Sequence, residues 1–386
     1  MTLYFDHAAS APPTPEVIAR VAEVQRDLFG NPGAAHPCGQ RAARAIERVR
    51  GQVATHLGCF PERVVFTSGA TEANNIALQG VVRARRGALP HLIVAATEHP
   101  SVLQVARALV DLGEATLDLL SVNSVGQVNP EELRGLLRPD TALVSVMHVN
   151  NETGVVQPIA KLGRICRAAG VPLHVDATQS FMKLPTEVDA LHADLLSIGA
   201  HKMHGPKGVG ALYVRAGVAL RPLSFGGGQE GGLRAGTPNS AGIAGFGAAI
   251  AAYTPAEAAR VLGLSRALRA LLDEAFPHIV HHSPDVGSIG TILSFRFADR
   301  PGRPAPRGGA LAAALARRGV QVSASAACCS GLDTPSAVLT AMGLGADEAR
   351  GNLRVSLGRS NQEDELPAFL AALRAALEEL APKGSA

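Results

Sequence analysis

Asp176 and Lys202 are the residues whose types and placement could do chemistry together. Asp176 lies in His174-Val175-Asp176-Ala177-Thr178-Gln179, where residues 171–175 read as a buried strand that ends on a carboxylate. Lys202 follows His201, just beyond a second apolar strand at 195–198. In open α/β sheets ligands bind outside the carboxyl ends of the strands, so both side chains are expected at that edge. An amine that forms a Schiff base and a carboxylate that keeps a pyridine nitrogen protonated are the two groups pyridoxal phosphate chemistry needs. Singly, each has a plainer reading: Asp176 as the cap of the next helix, Lys202 as a solvated lysine. The small or turn-forming neighbours Gly199, Ala200, Gly205, Pro206, Gly208 and Gly210 let the backbone approach a ligand closely. His201, His204 and Lys207 add hydrogen-bonding and cationic groups where a phosphate would sit.

Further stretches belong with this pair. Phe66 to Asn75 leaves a strand through Ser68-Gly69 and enters a helix. The first N–H groups of such a helix form an anion site, to which Thr71 adds a hydroxyl, although the same pattern also makes an ordinary strand–helix turn. His99, in Ala96-Thr97-Glu98-His99-Pro100, ends another strand on the same edge and either stacks on a flat ring or lies in a surface loop. Arg354 alternates with Leu353 and Val355 and points away from them, as a structural arginine or as a bidentate grip on a carboxylate. Cys328 and Cys329 stand in a run of Ser, Ala and Gly that packs poorly, as a mobile loop carrying a nucleophile must. A free thiol titrates near ~8.5, so a neighbour has to deprotonate it for attack at neutral pH. The plainer reading is two small buried residues in a turn. Cys38, Cys59 and Cys166 read as small packing residues, and no histidine or cysteine spacing fits a zinc site, so no metal is expected.

The elements that position these residues alternate. Strands are expected at 64–66, 92–96, 117–120, 143–149, 171–175, 195–198 and 211–214, with helical periodicity between them, as at 101–110 and at 130–137 behind the cap Asn129. Such alternation implies a largely parallel sheet covered on both faces. From Pro255 the texture becomes α+β, with helices at 257–276, 310–318 and 363–380 around strands such as 292–297. The stretch 298–309, rich in Pro, Gly and Arg, reads as an exposed loop. The expected division is a large domain at 16–254 and a smaller one made of 1–15 and 255–386, which carries the cysteine loop at about 321–336.

Composition narrows the class. With 36 basic against 33 acidic residues the net charge is +3, too little to argue for nucleic acid. No run approaches the ~20 apolar residues of a membrane span, and the N-terminus lacks the pattern of a secretory signal. Five cysteines in 386 residues form no disulfide framework, which favours a reducing, cytoplasmic setting.

Taken together, the stretches resemble the cysteine desulfurases of the NifS and IscS type, within the class V aminotransferase family of fold-type I pyridoxal phosphate enzymes. The resemblance runs from Tyr4-Phe5-Asp6-His7-Ala8-Ala9 to Leu357-Gly358-Arg359. It is most specific at Phe66 to Asn75, Met147 to Val155, His174 to Ser180, His201 to Val214 and Gly226-Gly227-Gly228-Gln229-Glu230 with Arg234 to Thr237. It implies a large domain with a mostly parallel seven-stranded sheet. It implies Lys202 as the Schiff-base lysine, Asp176 on the pyridine nitrogen, Gln179 on the ring oxygen and His99 stacked on the ring. Ala70, Thr71 and His201 would cradle the phosphate, and Thr237 would reach it from the other subunit of a homodimer. Asn151 and Arg354 would hold the carboxylate of L-cysteine. Cys328 would take the sulfur as a persulfide, leaving L-alanine, and pass it to an acceptor protein such as an iron–sulfur scaffold.

The chain departs from the family at three places. The loop has lost a glycine and carries Cys329 where threonine is usual, either to resolve the persulfide or as a neutral replacement. Gly199 stands where a phosphate-binding serine is common, and 298–309 is unusually rich in proline and arginine. Two other functions remain open at this point: selenocysteine lyase or another class V reaction, and a non-catalytic protein that keeps the scaffold.

Overall fold

The structure, a computed structural model, describes residues 2–300, 304–324 and 334–381. Its strands in chain order are β1 (Leu3–Tyr4), β2 (Val64–Thr67), β3 (His91–Ala95), β4 (Thr116–Leu120), β5 (Thr141–Ser145), β6 (Leu173–Asp176), β7 (Leu195–Gly199), β8 (Gly210–Val214), β9 (Ile279–His281), β10 (Ile292–Phe297), β11 (Val320–Gln321) and β12 (Leu353–Ser356). Seven of them form one sheet in the order β2-β8-β7-β6-β5-β3-β4. The pairs among β7, β6, β5, β3 and β4 are parallel, whereas β8 is antiparallel to both β7 and β2. Six strands therefore run the same way, and their carboxyl ends share one edge. All seven strands expected from the sequence are present.

Period-2 alternation splits the sheet between two apolar layers. Val64 and Phe66 pack in one cluster with Ile93, Val144, Val175 and Ile198. Val65 packs in another with Leu92, Val94, Leu143 and Leu212. A third cluster joins Phe5 to residues from Val261 to Ala376, around the antiparallel sheet β12-β10-β9. The N-terminal segment reaches this cluster through β1, parallel to β11, and through a bridge from Asp6 to Ser356.

Boundaries differ from expectation by a few residues. The expected strand 143–149 is β5 only to Ser145, although Val146 and His148 still donate to the carbonyls of His174 and Asp176. Helix Pro130–Leu136 starts behind Asn129, whose side chain accepts from the N–H of Glu131. The exposed loop expected at 298–309 gives way to helix at Gly308, where the backbone touches the carbonyl of Asn352 too closely for any side chain. Among the described residues no helix is long and apolar enough to cross a membrane.

Candidate active site

At the shared carboxyl edge lies a cavity of ≈ 470 Å³, within the ~300–1,000 Å³ usual for small-molecule sites. Ala70, Thr71, His99, Asn151, Asp176, Gln179, His201, Lys202 and Arg354 all line it. All but Arg354, which lies in β12 of the smaller sheet, come from five turns at the carboxyl ends of the large sheet's strands. The helix Ala70–Ala84 starts after β2, His99 caps Pro100–Asp111 after β3, and Asn151 follows β5. Asp176 ends β6, and Lys202 sits in the short 3-10 turn Ala200–Met203 after β7. The β2 turn can close down because Gly210 of β8 lies against Gly69, where a Cβ would come within 2.8 Å of the backbone.

Lys202 Nζ donates to the carbonyls of Ala8 and Ala9, each at 2.6 Å. Burial, helped by the cations of Arg354 and Lys183 and opposed by Asp6 and Asp176, brings the Lys202 pKa down to about 7. Asp176 Oδ2 accepts from Asn74 Nδ2 at 2.8 Å and Oδ1 from the Thr178 N–H at 2.9 Å; that second bond closes a local turn and caps no helix, the next one starting only at Val188. Gln179 donates to Ala8 O at 2.8 Å. Arg354 is 1% exposed; it donates to Asp6 Oδ1 and to Asn151 O, both at 2.9 Å.

Two sequence expectations need correction. His204 does not join the cavity: its left-handed backbone (φ 63°) turns the ring away, to donate to Pro12 O and accept from the Arg359 N–H. His201 does line the cavity but is no cation, because burial first, then Lys202 and Lys207, push its pKa down to about 4. Thr237 is exposed on the loop before Asn239 and is not part of this cavity. Cys328 and Cys329 lie outside the described residues. Several groups in or behind the cavity wall were assigned no role from sequence: Ala8, Ala9 and Ser101, which line it, and Asn74 and Asp6, which bond to Asp176 and Arg354. Tyr4 to Ala9 and Phe66 to Asn75, conspicuous as motifs, contain all of them but Ser101.

The lining fits pyridoxal phosphate. Thr178 Oγ1, Gln179 Oε1 and Arg354 Nε are buried without a hydrogen-bond partner, and buried polar atoms are seldom left so. The first N–H groups of the helix Ala70–Ala84 have no intrahelical acceptor and face an anion-sized space.

Residues 3–369 match the Aminotransferase class-V family. A protein of Anaeromyxobacter sp. named cysteine desulfurase IscS is 41% identical over 94% of this chain and 89% of its own length. The human cysteine desulfurase is 39% identical over 94% of this chain and 79% of its own. Among solved structures, a NifS-like protein superimposes with a TM-score of 0.90 at 35% identity, covering 98% of this chain and all of its own. SspA in complex with cysteine gives 0.82 at 36%, over 92% and 99%. The chain therefore belongs to the class V aminotransferases, pyridoxal phosphate enzymes, and within them to the cysteine desulfurases of the NifS and IscS type.

Proposed function

We propose that this chain removes sulfur from L-cysteine, giving L-alanine and a persulfide on Cys328. The observation that carries the reading is the convergence of Lys202, Asp176 and Arg354 on one cavity wall system. Lys202, Asp176, Gln179, His99, Ala70, Thr71 and His201 would hold the cofactor. When bound, pyridoxal phosphate supplies a protonated pyridine that draws electrons from the substrate Cα. Arg354, oriented by Asp6, and Asn151 hold the substrate carboxylate. The Lys202 amine, with its pKa near 7, takes the Cα proton. His99 faces the substrate thiol and its proton. The Cys328 thiolate attacks the substrate sulfur, the C–S bond breaks with its electron pair left on carbon, and sulfur stays on Cys328. Exchange then passes it to a thiol of an acceptor protein, with iron–sulfur cluster assembly as the default use. We place the enzyme in the cytoplasm as a homodimer, with Thr237 serving the partner's phosphate site.

Cys328→Ser tests this. It is expected to abolish persulfide formation and sulfide release while the yellow absorbance of the bound cofactor persists. Sulfide release at the wild-type rate would overturn the assignment. A colourless wild-type protein after cofactor is supplied would instead favour a scaffold without catalysis.

A further inference from the structure

His99 and Asp176 are joined by two further side chains, Asn74 and Ser101. Asn74, fully buried on the helix Ala70–Ala84, donates from Nδ2 in two directions: 2.8 Å to Asp176 Oδ2 and 2.9 Å to Ser101 Oγ. Its carbonyl Oδ1 is buried with no partner. Charge fixes this orientation, since turning the amide over would set Oδ1 against the Asp176 carboxylate. Ser101 Oγ lies 2.8 Å from His99 Nδ1, and the backbone N–H of Ser101 donates to the same nitrogen at 3.1 Å. A backbone N–H can only donate, so Nδ1 has to present its lone pair. The ring hydrogen of a neutral His99 must then be on Nε2, which meets no partner among the described residues.

The surroundings agree. His99 is the N-cap of the helix Pro100–Asp111, and the positive end of a helix opposes an imidazolium. Burial is the main influence lowering its pKa; Lys202 lowers it further, and Asp176 pulls it up. His201, the other titratable ring nearby, is itself neutral near pH 7.

We propose that Asn74 and Ser101 are positioning residues: Asn74, anchored by donating to Asp176, also donates to Ser101, whose hydroxyl donates on to His99 Nδ1 and holds its imidazole neutral, with the hydrogen on Nε2. His99 then meets the contents of the cavity as a donor. The chain's own groups fix this state, so it stands whether or not cysteine is the substrate. If the desulfurase reading holds, His99 gives a hydrogen bond to the substrate sulfur and does not act as the base that takes its thiol proton.

The test is nitrogen NMR on holoenzyme labelled with ring-15N histidine, the His99 signals being assigned by their loss in His99→Gln. In the wild type a lone-pair shift is expected at Nδ1 and an N–H shift at Nε2, with no titration through the neutral range. Asn74→Leu and Ser101→Ala are each expected to raise the ring pKa by about one unit and to mix the tautomers. Ser101→Thr, which keeps the hydroxyl, is expected to retain the wild-type pattern. A hydrogen on Nδ1 in the wild type overturns the proposal on its own, even if no variant folds. An unchanged tautomer and titration in both Asn74→Leu and Ser101→Ala would overturn the roles of those two residues.

Discussion

Replacing Gly199 by serine is expected to tighten cofactor binding. Gly199 ends β7 with φ −122° and ψ 124°, extended backbone that any residue adopts. A Cβ built there lies 3.4 Å from Ala70 Cβ, 3.4 Å from Thr178 Cγ2 and 3.6 Å from His201 Cδ2, ordinary contact distances. All three neighbours line the cavity, so the new hydroxyl enters it beside the start of the helix Ala70–Ala84. A hydrogen bond to a charged group contributes roughly 1.5–3 kcal/mol. Immobilising the side chain offsets about a third of that, leaving about 1–2 kcal/mol net. At 1.4 kcal/mol per decade the dissociation constant should fall about 5- to 30-fold. The assay is titration of cofactor-stripped protein with pyridoxal phosphate, followed by absorbance. Gly199→Ala is the control, because it adds the same Cβ without the hydroxyl and should leave affinity near the wild-type value. Equal affinities for the serine and alanine variants would refute the reasoning, since the hydroxyl would then find no anion within reach.

Two predictions concern proton linkage. In cofactor-free protein, Lys202 releases its proton near pH 7 when folded, against a reference value of 10.5. The unfolded chain thus holds the extra proton in that window, and stability should climb as pH rises through it. Each unit of displacement corresponds to about 1.4 kcal/mol, less whatever cavity water restores to the amine. Lys202→Met should flatten the climb in urea melts, apart from a smaller slope left by Lys183, which burial brings down to about 8; an unaltered slope would refute the assignment. Glu98 moves the other way: burial, then repulsion from Asp176, raises its carboxyl well above the usual range, against a hydrogen bond from the Met147 N–H. Its contribution is present in full at acid pH and lost as pH rises toward the elevated value. Glu98→Gln should leave acid stability unchanged and exceed the wild type by more than about 1 kcal/mol at alkaline pH, and equal melting of the two proteins there would count against a neutral Glu98.

The large sheet was legible because each strand is a short apolar run bounded by turn residues. What misled was continuity. Val146, Met147 and Val149 are as buried as β5 itself, yet they line a path out of the sheet toward the cavity, and hydropathy cannot separate a strand from a buried wall. Of the helices expected after Pro255, two begin two residues before where periodicity put them, at Pro255 behind the cap Thr254 and at Gly308, and the third begins two residues later, at Glu365. Lys202 and Asp176 were legible because strand and functional group are contiguous in sequence. Asn74 and Ser101 were not, because a polar residue inside a helix has no pattern that reveals a partner 102 or 27 residues away. His204 looked like a ligand group by adjacency alone, and one left-handed residue was enough to rotate it out of the site.

The N-terminal segment explains why the cavity needs parts from both ends of the chain. Asp6 accepts from Arg354, 348 residues away, and from Ser323, the root of the cysteine loop, at 2.9 Å each. Ala8 and Ala9 hold the Lys202 amine from the other side. After burial, the Arg354 guanidinium is the largest influence keeping that amine's pKa low. On the proposed reading, a substrate carboxylate seated on Arg354 neutralises that influence, so Lys202 becomes a stronger base when there is a Cα proton to remove. The same argument assigns Asp6 a limited share: it orients Arg354 with one oxygen, yet leaves Nε without a partner and the guanidinium with donors to spare. A site in which Asp6 saturated Arg354 would have little left to grip a substrate, whereas the arrangement seen here keeps the arginine both fixed and available.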